Sequence, residues 1–102
     1  MPRYQFAPSA RQDISDVVAH IRLENPFAAK QWFSVLREKC QMLAGSPRVG
    51  RVRDELMPNV HVFPFGNYLI FYDIVPGGIL VVHVVHAARD VPRVFSQESG
   101  PA

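Results

Sequence analysis

Apolar residues recur with a helical period in the first half of the chain and with the period of a strand in the second half. The first helical stripe consists of Ile14, Val17, Val18 and Ile21. Their i, i+3, i+4, i+7 spacing places them on one face of a helix. We expect this helix to begin at Ser9, with Gln12 as the partner in a capping box, and to end near Leu23 or Glu24.

A second helix is predicted directly after the first. Asn25-Pro26 is a strong start signal, because asparagine suits the N-cap and proline suits the first helical position. Its apolar stripe consists of Ala29, Trp32, Phe33, Leu36, Cys40 and Leu43. Gly45 is expected to end the helix in the left-handed conformation. A join of about two residues requires the two helices to form an antiparallel hairpin.

Short segments with a period of two surround this hairpin. A first strand is predicted over residues 4–7, and residues 45–58 are expected to form a loop. Three further strands follow, over residues 59–65, 67–75 and 79–87. Tight turns at Gly66-Asn67 and Pro76-Gly77-Gly78 make them an antiparallel meander. Asp90 could cap a short helix over residues 91–97.

This order predicts an α+β fold, β-α-α-β-β-β, in which an antiparallel α-hairpin packs on an antiparallel β-sheet. The two central strands are apolar on both faces, as in Leu69 to Tyr72 and Ile79 to Val82. The helix pair can cover only one face. Either the sheet curls on itself and the short C-terminal helix covers the rest of the other face, or that face is available to a partner.

Length and composition indicate one domain over residues 1–102, with residues 96–102 as a flexible tail. Cys40 is the single cysteine, so no internal disulfide is expected, and a reducing cytoplasm is the simplest setting. The longest apolar run is far shorter than the ~20 residues that span a bilayer. A net charge of +2 is too small to predict nucleic-acid binding.

Few side chains suggest chemistry. Cys40 lies on the apolar stripe of the second helix and needs no role beyond packing. His83 and His86 are three residues apart on a strand and should point to opposite faces, so neither a metal nor a cofactor is expected. Asp13 and Asp16 are expected only to solvate the first helix.

A metal-free phosphodiester site stays open, since it needs cations to hold phosphate and a group that moves a proton. The residues that could supply these are Arg51, Arg53, His61, Tyr72, His86 and Arg89. The competing interpretation makes Arg89-Asp90 a local ion pair with a helix cap. It makes His61 and His86 structural histidines.

Taken in order, several short segments resemble the RelE/ParE superfamily of toxin–antitoxin toxins, and within it the ParE branch. They are Pro8-Ser9-Ala10, Asn25-Pro26, Gly50-Arg51, the hairpin from Phe63 to Tyr72, and finally His86, Arg89 and Asp90. The ParE resemblance implies a toxin that poisons DNA gyrase, whereas the RelE branch implies ribosome-dependent cleavage of mRNA.

Two departures favour ParE. RelE-type ribonucleases typically carry an arginine directly after the central tyrosine, and this chain has Leu69 at that place. Their last strand also ends in a motif that closes on tyrosine, whereas here Arg89-Asp90 is followed by Val91-Pro92. Leucine cannot bind phosphate and proline cannot transfer a proton. The resemblance therefore favours a gyrase inhibitor without catalysis over the alternative, a metal-independent endoribonuclease.

The resemblance also implies two sets of contact residues and a ParD-like antitoxin, with no specific DNA binding. The candidates for target binding are Arg51, Arg53, Arg89, Asp90 and Arg93. The candidates for antitoxin binding are Trp32, Phe63, Phe65 and Tyr68. For the ribonuclease alternative the candidate catalytic residues are Arg51, Arg53, His86 and Arg89.

Overall fold

A five-stranded sheet carries a helix hairpin on one face and a short helix on the other. The structure is a computed structural model and describes residues 1–98. Its elements, in chain order, are β1 (Arg3–Phe6), α1 (Pro8–Glu24), α2 (Pro26–Gly45), a 3₁₀ turn (Pro47–Val49), β2 (Arg51–Val52), β3 (Val60–Phe65), β4 (Tyr68–Val75), β5 (Gly78–His86) and α3 (Val91–Glu98). The predicted α+β fold is confirmed.

The sheet is mixed rather than wholly antiparallel. Its strand order is β1-β5-β4-β3-β2, and β3, β4 and β5 form the predicted antiparallel meander. β1 pairs with β5 in parallel, because the helix hairpin carries the chain from one end of the sheet to the other. Two-residue turns join the meander, and Gly66 (φ 58°) and Gly77 (φ 84°) supply their left-handed positions.

The two ends of the sheet differ in detail from the prediction. Part of the expected loop over residues 45–58 is strand, because Arg51 and Val52 pair with Val62 and His61 of β3. The capping box is absent. Ala7 is the N-cap of α1 and makes no side-chain cap, while the Ser9 hydroxyl donates to the carbonyl oxygen of Val82 at 2.6 Å. Ser9 thus serves the sheet rather than the helix terminus.

The helix hairpin forms where the sequence predicts it. The side chain of Asn25 accepts a hydrogen bond from the Ala28 N–H at 3.0 Å and caps α2. The prediction that Gly45 adopts the left-handed conformation is wrong, since Gly45 belongs to α2 and its φ is not positive. The Ser46 N–H instead closes the helix by bonding to the carbonyls of Met42 and Leu43.

Each face of the sheet has its own hydrophobic core. The first lies under the hairpin and includes Ala10, Ile14, Leu36, Cys40, Leu43, Ile70, Tyr72 and Val81. The second lies under α3 and includes Val60, Val62, Phe71, Val82, Val85, Val91, Val94 and Phe95. The idea that this second face awaits a partner is therefore wrong, because α3 covers it.

The predicted C-terminal helix over residues 91–97 is confirmed and extends to Glu98. The expected flexible tail, residues 96–102, thus begins inside α3. Its last four residues lie outside the described part of the chain.

Candidate functional site

The segment from Pro47 to Gly50, which precedes Arg51 of β2, is anchored by the buried hydroxyl of Tyr72. This hydroxyl donates to the carbonyl oxygen of Pro47 at 2.8 Å and accepts from the Gly50 N–H at 3.0 Å. A Cβ on residue 50 would overlap the same hydroxyl, so only glycine allows this approach. Burial raises the pKa of Tyr72, which stays a neutral donor. The backbone leading to Arg51 is therefore held firmly.

Arg51 and Arg53 differ in their surroundings. Arg51 is exposed on β2, opposite Val62. The Arg53 guanidinium pairs with the Glu55 carboxylate at 2.5 Å, and this hydrogen bond lowers the pKa of Glu55. Of the two, Arg51 is the one whose charge faces solvent.

A cleft lies between α1 and the neighbouring ends of β4 and β5, and we name it the His86 cleft. It has a volume of about 280 Å³, and its polar lining residues are Asp13, Asp16, His20, Tyr68, His86 and Arg89. The rings of Tyr68 and His86 meet edge to face at 5.2 Å. The His86 Nδ1 accepts from the Ala88 N–H at 3.0 Å, which leaves the neutral ring's proton on Nε2.

Sequence reasoning missed the α1 side of this cleft. Asp13 does not merely solvate the helix, because its Oδ2 accepts from the His83 Nδ1–H at 2.7 Å and from the Val84 N–H at 3.0 Å. Asp16, as expected, is exposed, and it accepts from the Gln12 amide. The pattern of α1 contains no signal for the role of Asp13, because that role depends on which strand edge the helix crosses.

The remaining target-binding candidates lie at the start of α3. Arg89, Asp90 and Arg93 line a pocket of about 300 Å³. The predicted cap is present, since the Asp90 carboxylate accepts from the Arg93 N–H at 3.4 Å. The pair Arg51 and Arg53 lies elsewhere, because three strand spacings of the sheet, ~14 Å, separate β2 from β5. The five candidates therefore form two separate groups.

The antitoxin-binding candidates form a partly buried aromatic cluster on the hairpin side of the sheet. The Trp32 ring lies 5.7 Å from Phe65 and 5.3 Å from Tyr68, and Phe63 packs against the same core. All four are half-buried. Their packing is explained by the fold, and each keeps an exposed part that a partner could contact.

Two other candidates are structural. His61 is buried, stacks on Tyr72 at 5.5 Å and donates from Nδ1 to the carbonyl oxygen of Asn59, as the structural interpretation expected. Cys40 is fully buried, and desolvation raises the pKa of its thiol to about 12. A nucleophilic role for this thiol finds no support.

Within residues 1–98, no three His, Cys, Asp or Glu side chains are grouped so that they could hold a metal ion. Over the same residues, no helix combines the length and the apolar character that crossing a membrane requires.

The sequence of this chain is similar to that of known toxins. A family model described as the ParE toxin of the type II toxin–antitoxin system parDE matches residues 4–91. Toxin ParE1 of Mycobacterium tuberculosis is 33% identical over 66 residues, which are 64% of this chain and 67% of that protein. A solved structure of the chromosomal ParDE TA system from P. aeruginosa superposes with a TM-score of 0.70. That match has 15% identity, covers 84% of this chain and 96% of the other, and shows the fold alone.

The chain is therefore a toxin of the type II toxin–antitoxin class. Within that class it belongs to the ParE toxin family. Membership in this family implies an antitoxin partner.

Proposed function

We propose that this toxin binds and inhibits DNA gyrase and is neutralised by a cognate ParD-like antitoxin. The observation that carries the proposal is the ParE family match over residues 4–91, which includes both helices and the whole meander. The expected contact residues for gyrase are Arg51, Arg53, Arg89, Asp90 and Arg93.

The surroundings of two positions support binding rather than RNA cleavage. Leu69, at the place of an expected phosphate-binding arginine, packs against the core under α3. Pro92, at the place of an expected tyrosine motif, lies in the first turn of α3. Both positions are used for packing or for starting a helix, so neither supplies a cation or a proton.

The direct test adds the purified toxin to gyrase, relaxed plasmid and ATP, and measures supercoiling and gyrase–DNA cleavage complexes. We expect inhibition at micromolar toxin. The double variant Arg89→Ala/Arg93→Ala should inhibit at least several-fold less, because two cations of one surface are lost. Arg3→Ala removes an exposed cation beside Gly78 at the start of β5, whereas Arg89 follows the end of that strand, and it serves as the control. Normal supercoiling in the presence of folded wild-type toxin would contradict the proposal.

One observation keeps the ribonuclease alternative open. The His86 cleft brings together Tyr68, His86 and Arg89, which are two groups able to exchange protons and one cation. The test is to induce the toxin and follow ribosome-bound transcripts. Transcripts that are cleaved when the wild-type toxin is induced, and intact when His86→Ala is induced, would favour this alternative. Transcripts that stay intact while the wild-type toxin arrests growth would exclude it.

A further inference from the structure

The turn between β5 and α3 is held by the side chain and the backbone of His86, the last residue of β5. Its Nδ1 accepts a hydrogen bond from the Ala88 N–H at 3.0 Å, and its carbonyl oxygen accepts one from the Arg89 N–H at 3.0 Å. The third N–H of the turn, that of Ala87, bonds to the carbonyl oxygen of Asn67 at 2.8 Å. His86 thus binds two of the three N–H groups of the turn.

The bond to the Ala88 N–H depends on the orientation and the charge of the His86 ring. The ring meets that of Tyr68, its partner across the sheet, edge to face at 5.2 Å. A ring turned by 180° would present a C–H group to Ala88 instead of Nδ1. Only the neutral ring with its proton on Nε2 can accept at Nδ1, because an imidazolium donates from both nitrogens. A proton on Nδ1 therefore breaks this bond.

The turn positions one cation of the predicted target contacts. Arg89 is exposed and is the last residue of the turn. Directly after it, Asp90 caps α3, because its carboxylate accepts from the Arg93 N–H and its carbonyl oxygen accepts from the Val94 N–H. These capping bonds do not involve His86. Opening of the turn would therefore move Arg89 relative to α3, while α3 keeps its cap and its core contacts.

The surroundings of the His86 ring contain charges of both signs, and the ring itself is exposed to solvent. The titratable and charged groups come from α1, from β4, from the turn and from the start of α3. Those that line the same cleft are Asp13, Asp16, His20, Tyr68 and Arg89, and those that line the neighbouring pocket with Arg89 are Asp90 and Arg93.

We propose that neutral His86 positions Arg89 for binding to the target, and that protonation of His86 opens the turn and weakens this binding. The proposal rests on the proposed inhibition of gyrase. A histidine side chain ordinarily changes its charge between about pH 5 and pH 8. As the pH falls through this range, the Ala88 N–H loses its acceptor and the turn gains conformations. The affinity for the target then falls with the fraction of molecules that hold Arg89 in the binding geometry.

The first experiment tests the turn in the toxin alone, without any target. Solvent-exchange NMR gives the protection of the Ala88 amide relative to an unstructured peptide at about pH 8 and about pH 5.5. We expect wild type to lose ~5-fold in protection at the lower pH, the factor that one neutral hydrogen bond supplies. His86→Asn should keep the protection at both pH values, because its Oδ1 replaces Nδ1 as an acceptor that does not titrate. Equal protection in His86→Ala and wild type at about pH 8 would overturn the proposal.

The second experiment measures the affinity of the same proteins for purified gyrase by biolayer interferometry over the same pH range. Wild type should bind ~5-fold more weakly at the lower pH. His86→Asn should bind without this pH dependence. His20→Asn is the matched control, because His20 is an exposed histidine of the same cleft that lies outside the turn, and it should follow wild type. A wild-type profile no steeper than that of His86→Asn, or tighter binding at the lower pH, would overturn the proposal.

A double-mutant cycle tests whether His86 acts through Arg89. His86→Ala should weaken binding to gyrase ~5-fold in the wild-type background and less than ~2-fold in the Arg89→Ala background, because the second variant has already lost the group that the turn positions. Additive losses would show that His86 does not act through Arg89, and they would overturn the proposal.

Failure of this inference is distinguishable from failure of the proposed target. A toxin that does not bind gyrase at any pH refutes the target, and the same double-mutant cycle is then read by growth arrest after induction, which assumes no particular target. Non-additive losses of growth arrest would uphold the role of His86, and additive losses would overturn it. Binding to gyrase together with an unchanged Ala88 amide in His86→Ala would uphold the target and overturn this inference.

Discussion

Cys40 shows how burial alone changes the chemistry of a residue. Its side chain is completely inaccessible between α2 and the sheet, and desolvation raises the pKa of the thiol from 9.0 to about 12. The thiolate is the reactive form, so this cysteine is inert at neutral pH. It acts as a small apolar side chain in the core.

The raised pKa predicts a loss of stability at alkaline pH. Between about pH 9 and pH 12 the unfolded chain releases the Cys40 proton while the folded chain retains it, so the free energy of unfolding falls as pH rises. The full interval corresponds to about 4 kcal/mol. Urea unfolding from pH 8 to 11 should show a shallower decline for Cys40→Ala than for wild type.

Tyr72, whose pKa is also raised by burial, contributes to the remaining decline in both proteins. Alkylation of Cys40 should be slow in the native toxin at pH 8 and fast in urea. Equal pH slopes for the two proteins, or fast alkylation of the folded toxin, would show that the thiol is not protected.

At the scale of elements, α1 completes the edge of β5 that β1 leaves open. The pairing of β1 with β5 ends at Val81. Beyond it, the Ser9 hydroxyl bonds to the Val82 carbonyl and the Asp13 carboxylate accepts the Val84 N–H. Buried backbone groups need partners, so two helix side chains replace the missing strand. The same carboxylate also fixes His83.

Asp13→Ala should therefore destabilise the toxin by about 2–3 kcal/mol, because a backbone N–H and a histidine N–H lose their acceptor together. Urea unfolding measures this. Asp16→Ala, which removes an exposed carboxylate one turn further along α1, should cost less than about 0.5 kcal/mol. Similar losses for the two variants would contradict the role given to Asp13.

At the scale of the whole molecule, α3 makes the sheet two-sided. The Phe95 ring packs edge to face on Phe71 at 5.0 Å and on His83 at 5.1 Å. Without this helix the apolar residues of β3, β4 and β5 on that face would be open to water. The short helix thus closes the second core.

Phe95→Ala should lower the free energy of unfolding by about 3 kcal/mol and increase the binding of an apolar dye such as ANS. Thermal unfolding and dye fluorescence measure the two effects. Phe27→Ala is the matched control, because Phe27 is 73% exposed at the start of α2 and should change neither quantity. A dye signal that stays at the wild-type level would indicate that α3 does not protect the sheet.

The sequence by itself determined the elements and their order, because local periodicity and chain-breaking residues act over a few positions. The stripes of α1 and α2, the Asn25 cap and the turn glycines all predicted elements that the structure contains. The family resemblance also followed from short segments in order. The local pattern could not show which residues distant along the chain each side chain would contact.

Only the tertiary structure decided those partners. Ser9 and Asp13 carry the local marks of a helix cap and a solvated face, and they bond instead to Val82 and Val84, which lie about seventy residues away in sequence. The same holds for the parallel pairing of β1, the two separate groups of arginines and the groove between α1 and α2. Each depends on which elements meet in space, and that follows from packing of the whole chain rather than from any local period.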